Sequence, residues 1–223
     1  MHPVCFTIGG RTIYWYGVMM ATAFVACIVH WTILGRKENK PPSFPSDLGF
    51  WLMISGIIGA RIGYVLANLN FYLENPADII RIDKGGLIFY GGFLGATIAG
   101  IIFARIKKER FWPFADFVIT ALPLGHAIGR IGCFLNGCCY GTPARLPWSI
   151  FLHGALRHPV QLYSCSINLI IYLILMWAYP RRNREGRIFA LYLILYPFCR
   201  FILEFFRGDG RMLLFGVSIA KLL

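Results

Sequence analysis

Arg61, Arg130, Arg200, Glu204 and Arg207 are charged side chains within or at the edge of otherwise apolar stretches. An ionisable group at membrane depth is costly, so each is a candidate for function. Arg200 and Glu204 are spaced i,i+4 and can neutralise one another on one helix face. Arg61 and Arg207 can instead reach an interface on their long stems. Arg130 lies in Gly125-His126-Ala127-Ile128-Gly129-Arg130-Ile131-Gly132, where glycines allow close helix approach and leave backbone N–H groups open to an anion. Several arginines with no comparable supply of acids point to a phosphate-bearing ligand, because the planar guanidinium donates two parallel hydrogen bonds.

A general base is harder to find. His126 precedes Arg130 by four residues and shares its helix face if the helix is regular. It reads as a base or as an ordinary packing histidine, and His158 is a second candidate. Seven cysteines are present, of which Cys133, Cys138 and Cys139 cluster. Their spacing matches no common zinc pattern, so no metal is expected. They read as small residues in a packed cavity, as a nucleophilic thiol, or as a Cys133–Cys138 disulfide. The tract Lys84-Gly85-Gly86-Leu87-Ile88-Phe89-Tyr90-Gly91-Gly92-Phe93-Leu94-Gly95 predicts tight helix packing or a broken segment lining a cavity.

The elements that must position these groups are membrane spans. The chain has 223 residues, 57% of them hydrophobic and only 14% charged, with a mean hydropathy of +0.62. A soluble domain needs more charge to cover its surface. Apolar blocks run roughly over 13–34, 48–68, 87–104, 114–135, 161–179 and 188–206. Each approaches the ~20 residues that cross ~30 Å of hydrocarbon. A seventh begins near Met212 and stops at Leu223, which predicts a last helix incomplete in this chain. Basic residues crowd the first, third and fifth links (Arg36, Lys37, Lys40; Arg105, Lys107, Lys108, Arg110; Arg181, Arg182, Arg184, Arg187). The links between them are poorer in basic residues, which places the odd links in the cytoplasm and the N-terminus in the periplasm. The expectation is an all-α integral membrane protein of about seven transmembrane helices, forming a single polytopic domain over residues 1–223. The net charge of +12 then reflects topology and anionic lipid headgroups. No amphipathic basic helix argues for nucleic acid. The first ten residues lack the charged start of a cleavable signal, so the first block is expected to stay attached.

The run Gly129-Arg130-Ile131-Gly132-Cys133-Phe134-Leu135-Asn136-Gly137-Cys138-Cys139-Tyr140-Gly141 resembles the signature of the prolipoprotein diacylglyceryl transferases. Further stretches match in the family's order. They are Tyr14-Trp15-Tyr16-Gly17, Arg61-Ile62-Gly63-Tyr64-Val65-Leu66, the 85–95 tract, Arg157-His158-Pro159-Val160-Gln161-Leu162-Tyr163 and the stretch from Tyr196 to Arg207. The resemblance implies a seven-helix enzyme of the bacterial inner membrane that needs no cofactor. Such an enzyme moves the diacylglyceryl group of phosphatidylglycerol onto the lipobox cysteine of a preprolipoprotein and releases glycerol phosphate. It carries over catalytic roles for Arg130 and Arg200, and places Asn136, Gly141, Tyr16, Arg61, Tyr196, Glu204 and Arg207 on motif positions, with phosphatidylglycerol as their ligand. Where the family usually has histidine, asparagine and glutamate, this chain has Tyr90, Cys133 and Cys138, and Ser164 replaces an acid. Tyr90 and the substitute base His126 therefore join the catalytic candidates. Other readings are a related transferase with a different acceptor, a non-catalytic phospholipid-binding protein, and a thiol oxidoreductase built on the cysteines.

Overall fold

A computed structural model describes residues 3–81 and 85–208, together with the backbone of 213–214 and 217–218. It is essentially helical. The helices are α1 (Trp15–Lys37), α2 (Phe44–Ala67), α3 (Leu69–Glu74), α4 (Phe89–Ile106), α5 (Phe111–Ile119), α6 (Leu122–Asn136), α7 (Val160–Ala178) and α8 (Arg187–Glu204). Short 3-10 turns follow α3 (Pro76–Ile80) and α7 (Tyr179–Arg181). Two hairpins join them, β1 (Val4–Ile8) with β2 (Arg11–Tyr14) and β3 (Ile150–Leu152) with β4 (Ala155–Arg157).

Five membrane-spanning candidates stand out by length and composition among the described residues: α1, α2, α4, the continuous stretch Phe111–Asn136, and Val160–Arg181. Helix α8 has 18 residues but carries Arg187, Arg200 and Glu204, so it is less apolar than the others. The seventh segment expected from Met212 falls mostly outside the described residues. Where backbone is described there, β5 (Leu213–Leu214) pairs antiparallel with β6 (Val217–Ser218). Large apolar side chains face outward along the spans, among them Val25, Ile58, Phe93, Ile102, Leu173 and Ile194. Such a surface suits lipid, not water.

The fourth expected block is two helices, not one. Pro123 has no N–H to offer the carbonyl of Ile119, and its ring obstructs a continuous turn. Thr120 Oγ1 donates to Phe117 O at 2.7 Å just before the break. The glycine tract also divides. Gly85 and Gly86 lie in an extended lead-in with left-handed φ of 80° and 81°, whereas Gly91 and Gly92 sit inside a regular α4. Backbone breakage is therefore confined to the first Gly-Gly pair.

The chain forms two compact units, Met1–His30 with Ala115–Leu223, and Trp31–Phe114. In the second unit α2 and α4 pack backbone to backbone. A Cβ on Gly91 would lie 3.1 Å from Gly63 Cα, and one on Gly95 would lie 3.1 Å from Gly59 Cα. Only glycine lets the helices come this close. Phe44 and Leu48 are buried at one end of the pair, with the Phe44 ring edge-on to Phe103. The ion pairs Lys40–Glu109 (2.5 Å) and Lys107–Asp47 (3.2 Å) also lie in this unit.

In the first unit α7 is central, packing on both α6 and α8 with Ile171 and Leu175 buried. Asp116, fully buried in α5, caps α8 from a distance. It accepts from the backbone N–H groups of Gly186 (2.9 Å) and Phe189 (2.8 Å). Those are orphan donors of a helix N-terminus, where a carboxylate is favoured. Buried His30 bridges Thr120 Oγ1 (2.8 Å) and Tyr172 OH (3.1 Å).

Candidate functional site

Helix α6 carries His126 and Arg130 one turn apart. Arg130 Nη2 lies 3.4 Å from His126 Nε2, and the imidazole rests on the Tyr196 ring of α8, with centroids 5.3 Å apart. Arginine can only donate, so the His126 nitrogen facing it accepts. Tyr16, at the start of α1, closes over the next turn. A Cβ on Gly132 would meet Tyr16 Cδ2 at 3.4 Å.

The helix ends as the sequence requires. Gly137 adopts a left-handed conformation (φ 73°), and Cys138 N–H returns to Cys133 O at 3.1 Å, the bond that closes a glycine-terminated helix. Cys139 is also left-handed, with φ 59°. For a residue with a Cβ this conformation is disfavoured, and it persists only where surroundings hold it. Here they do. Thr142 N–H donates to Phe206 O at 2.9 Å and Gly208 N–H to Tyr140 O at 3.0 Å, so the loop after α6 is laced to the chain leaving α8. Gly141 bridges Arg207 at the centre of that lacing. A Cβ on Gly141 would come within 2.5 Å of His158 O, which explains the glycine.

The outer loop braces the same turn. Arg157 Nε donates to Leu152 O (3.0 Å) and Nη1 to Gly141 O (3.2 Å), while its guanidinium stacks 4.8 Å over Tyr140. His153 Nε2 lies 3.0 Å from Gly137 O. His158 Nδ1 is 3.3 Å from the Tyr163 hydroxyl, which accepts from Trp148 Nε1 at 2.7 Å. These are supporting contacts that nothing in the residue spacing foretold.

The result is a narrow cleft lined by Arg130, Arg200, Arg207, Cys139, Gln161 and Ser164 among others. Arg200 is ion-paired to Glu204, whose side chain is almost wholly buried. Arg130 Nε is buried without a hydrogen-bond partner among the described residues, and so is Gln161 Oε1. Gln161 Nε2 is spent on Cys138 O at 2.7 Å. A buried donor on a guanidinium costs free energy unless an acceptor arrives. An anionic oxygen from a ligand supplies one.

The three clustered cysteines meet at the edge of this cleft, their sulfur atoms all within 4.8 Å of one another. A hydrogen bond from Cys133 holds the Cys139 thiol down at about 5. Burial opposes this, and Arg207 and Arg130 act in the lowering direction. Cys138 goes the other way, raised first by burial and then by the charge of Cys139, with an Asn136 hydrogen bond pulling it partly back.

Of the residues singled out by sequence, Tyr16, His126, Arg130, Asn136, Gly141, Tyr196, Arg200, Glu204 and Arg207 all belong to the unit that holds the cleft. Arg61 and Tyr90 belong to the other. Buried Arg61 spends its five N–H donors on backbone carbonyls: Nε on Ile79 O (2.8 Å), Nη1 on Gly85 O (2.8 Å) and Gly86 O (3.0 Å), Nη2 on Asp78 O (2.6 Å) and Arg81 O (3.0 Å). It also lies over the rings of Tyr72 and Tyr64. Tyr90, in the first turn of α4, is 64% exposed.

Known proteins resemble the chain along most of its length. A Trichormus variabilis protein named phosphatidylglycerol--prolipoprotein diacylglyceryl transferase is 36% identical over 227 residues, covering 95% of this chain and 80% of the relative. Proteins of the same name from Finegoldia magna (36% over 211 residues, 94% and 85%) and Clostridioides difficile (36% over 217 residues, 96% and 86%) agree. Residues 3–223 match the family described as Prolipoprotein diacylglyceryl transferase, and with its apolar spans and arginine-lined cleft the chain belongs to that family of membrane transferases.

Proposed function

We propose that this chain transfers the diacylglyceryl group of phosphatidylglycerol to the thiol of a lipobox cysteine in a prolipoprotein, releasing glycerol phosphate. The observation that carries the reading is the buried, unpartnered Nε of Arg130 in a cleft that Arg200 and Arg207 also line. The lipid phosphate supplies the missing acceptor. The acceptor sulfur attacks the glyceryl carbon bonded to the phosphate ester oxygen; the C–S bond forms as the C–O bond breaks. The electron pair leaves on glycerol phosphate, and fixed guanidinium groups stabilise that growing charge. Glu204 holds Arg200 in place, and Asn136, Gly141 and Tyr16 shape the turn and the wall around Arg130.

His126 serves as a positioning residue for Arg130, because the nitrogen lone pair a base would use is turned toward the guanidinium. Arg61 acts through the 76–86 segment it ties together. Tyr90 keeps its place as a catalytic candidate, contributing a hydroxyl in the position of the family's usual histidine. The basic first, third and fifth links support a seven-helix topology with a periplasmic N-terminus in the bacterial inner membrane.

The test is detergent-purified protein with phosphatidylglycerol vesicles and a lipobox peptide, read by mass spectrometry for the diacylglyceryl peptide. Product is expected from wild type and lost in Arg130→Ala. Tyr90→Phe separates hydroxyl chemistry from packing, and His126→Gln, which preserves an acceptor toward Arg130, is expected to retain more activity than His126→Leu. Absence of product beside an active relative, with phosphatidylglycerol still bound, overturns the transfer reading in favour of a lipid-binding protein or another acceptor.

A further inference from the structure

The loop that closes α6 gathers three thiols for which the reaction above has no stated use. Cys133 sits in the last turn of α6, and the left-handed residues Gly137 and Cys139 fold the chain back so that Cys138 and Cys139 return to it. The three Sγ atoms lie within 4.8 Å of one another. In a tetrahedral thiolate site with a metal–sulfur distance of ~2.3 Å, sulfurs stand roughly 3.8 Å apart. The largest separation thus exceeds that spacing by no more than about 1 Å.

We propose that Cys133, Cys138 and Cys139 bind a thiophilic divalent cation, zinc in the first instance, and that its fourth position takes the thiol of the acceptor cysteine. The inference rests on the transfer reaction proposed above and names what prepares its nucleophile. Three protein ligands and one open position are the arrangement of a catalytic zinc site, not a structural one. A cation with three thiolates carries a net charge of −1, and −2 once the acceptor thiolate joins. Arg130 and Arg207, which act on Cys139 electrostatically, stabilise that loaded state. Thiolates are soft ligands and calcium and magnesium take oxygen donors, so only an ion that keeps thiolates deprotonated is retained.

The step balances. The acceptor thiol binds the cation and releases its proton to water. The metal-bound sulfur attacks the glyceryl carbon, the C–O bond breaks with its electron pair on glycerol phosphate, and the thioether product, a weak ligand, leaves the metal. Activation of this kind fits a chain in which tyrosine stands where the family has histidine, since a coordinated thiol is deprotonated without a base.

The experiment uses full-length protein in detergent, reduced, stripped with chelator and titrated with Co²⁺. One equivalent is expected to bind, giving thiolate-to-cobalt charge transfer and tetrahedral visible bands. Cys133→Ser, Cys138→Ser and Cys139→Ser each abolish the tetrahedral spectrum. A variant with Cys5, Cys27, Cys165 and Cys199 all changed to Ser retains it. A lipobox peptide shifts the visible bands, and the same peptide with serine for cysteine does not. A featureless titration, a spectrum indifferent to Cys138→Ser and Cys139→Ser, or undiminished transfer by metal-free protein overturns the metal proposal and leaves the transfer reaction standing. A cobalt spectrum that responds to peptide in a protein that makes no lipidated product instead overturns the transfer reaction.

Discussion

Replacing Arg61 with lysine tests how this family arginine acts. Its five donors meet five backbone carbonyls across 78–86 at 2.6–3.0 Å. Lysine keeps the charge but has three donors on a single nitrogen, so at least two carbonyls lose their partner. A hydrogen bond to a charged group contributes about 1.5–3 kcal/mol, which puts the loss at about 3 kcal/mol even at the low end. That is roughly a 150-fold rise in local opening. The amides of Asp78 and Arg81, bonded to Asn75 O and Asp78 O at 3.1 Å, report it by hydrogen exchange read in peptides covering 75–81. Exchange there is expected to accelerate by about two orders of magnitude, with transfer activity falling in parallel and the cobalt spectrum unchanged. Exchange within a few-fold of wild type, combined with lost activity, refutes the reasoning and returns Arg61 to direct phosphate binding.

Three further outcomes are expected. Asp116→Ala strips two charge-assisted caps from α8 and costs about 2–4 kcal/mol, seen as a lower melting midpoint in detergent and faster exchange at Phe189; Asp116→Asn retains part of this. Gly59→Val wedges α2 from α4 and destabilises by about 1–3 kcal/mol or more, whereas Gly17→Ala, with open space around its Cβ, leaves the melting midpoint in place. In metal-free protein, Cys139 is expected to react with iodoacetamide at a rate that stays level from pH 8 down to about 6 and falls only as pH drops through about 5, because its depressed value keeps the thiolate present above that point. A Cys139 rate that rises toward pH 8–9, the ordinary thiol range, refutes it.

Much of this was legible because its physics is local. Spans need a minimum run of apolar residues, so the expected blocks agree with α1, α2, α4, α7 and α8 to within a few residues. Arg130, Arg200 and Arg207 announced themselves as charges within or beside apolar stretches, and the fold brings those three to one cleft. The break before α6 was visible in principle as Pro123, but apolar continuity from Phe114 to Leu135 masked it. The capping of α8 by Asp116 was not legible, because a carboxylate 70 residues away in sequence satisfies that helix. Nor was the engagement of Arg61 with carbonyls, since backbone acceptors leave no mark in residue type. The clustering of Cys133, Cys138 and Cys139 in sequence was plain, but the convergence of their sulfur atoms was not, because it depends on the two left-handed residues Gly137 and Cys139.

Where α2 meets α4, Gly59, Gly63, Gly91 and Gly95 offer no side chain to trade. Every single-residue change at those places adds atoms, so mutation can only push the helices apart and never tighten them. One position along on α2, Ile58 and Ile62 face outward with about half their surface exposed (54% and 53%), where any lipid-soluble residue serves. Freedom to vary therefore alternates along one helix between wide tolerance and none. This half of the protein is expected to diverge by changing its lipid-facing coat while the glycine seam beneath it stays as it is.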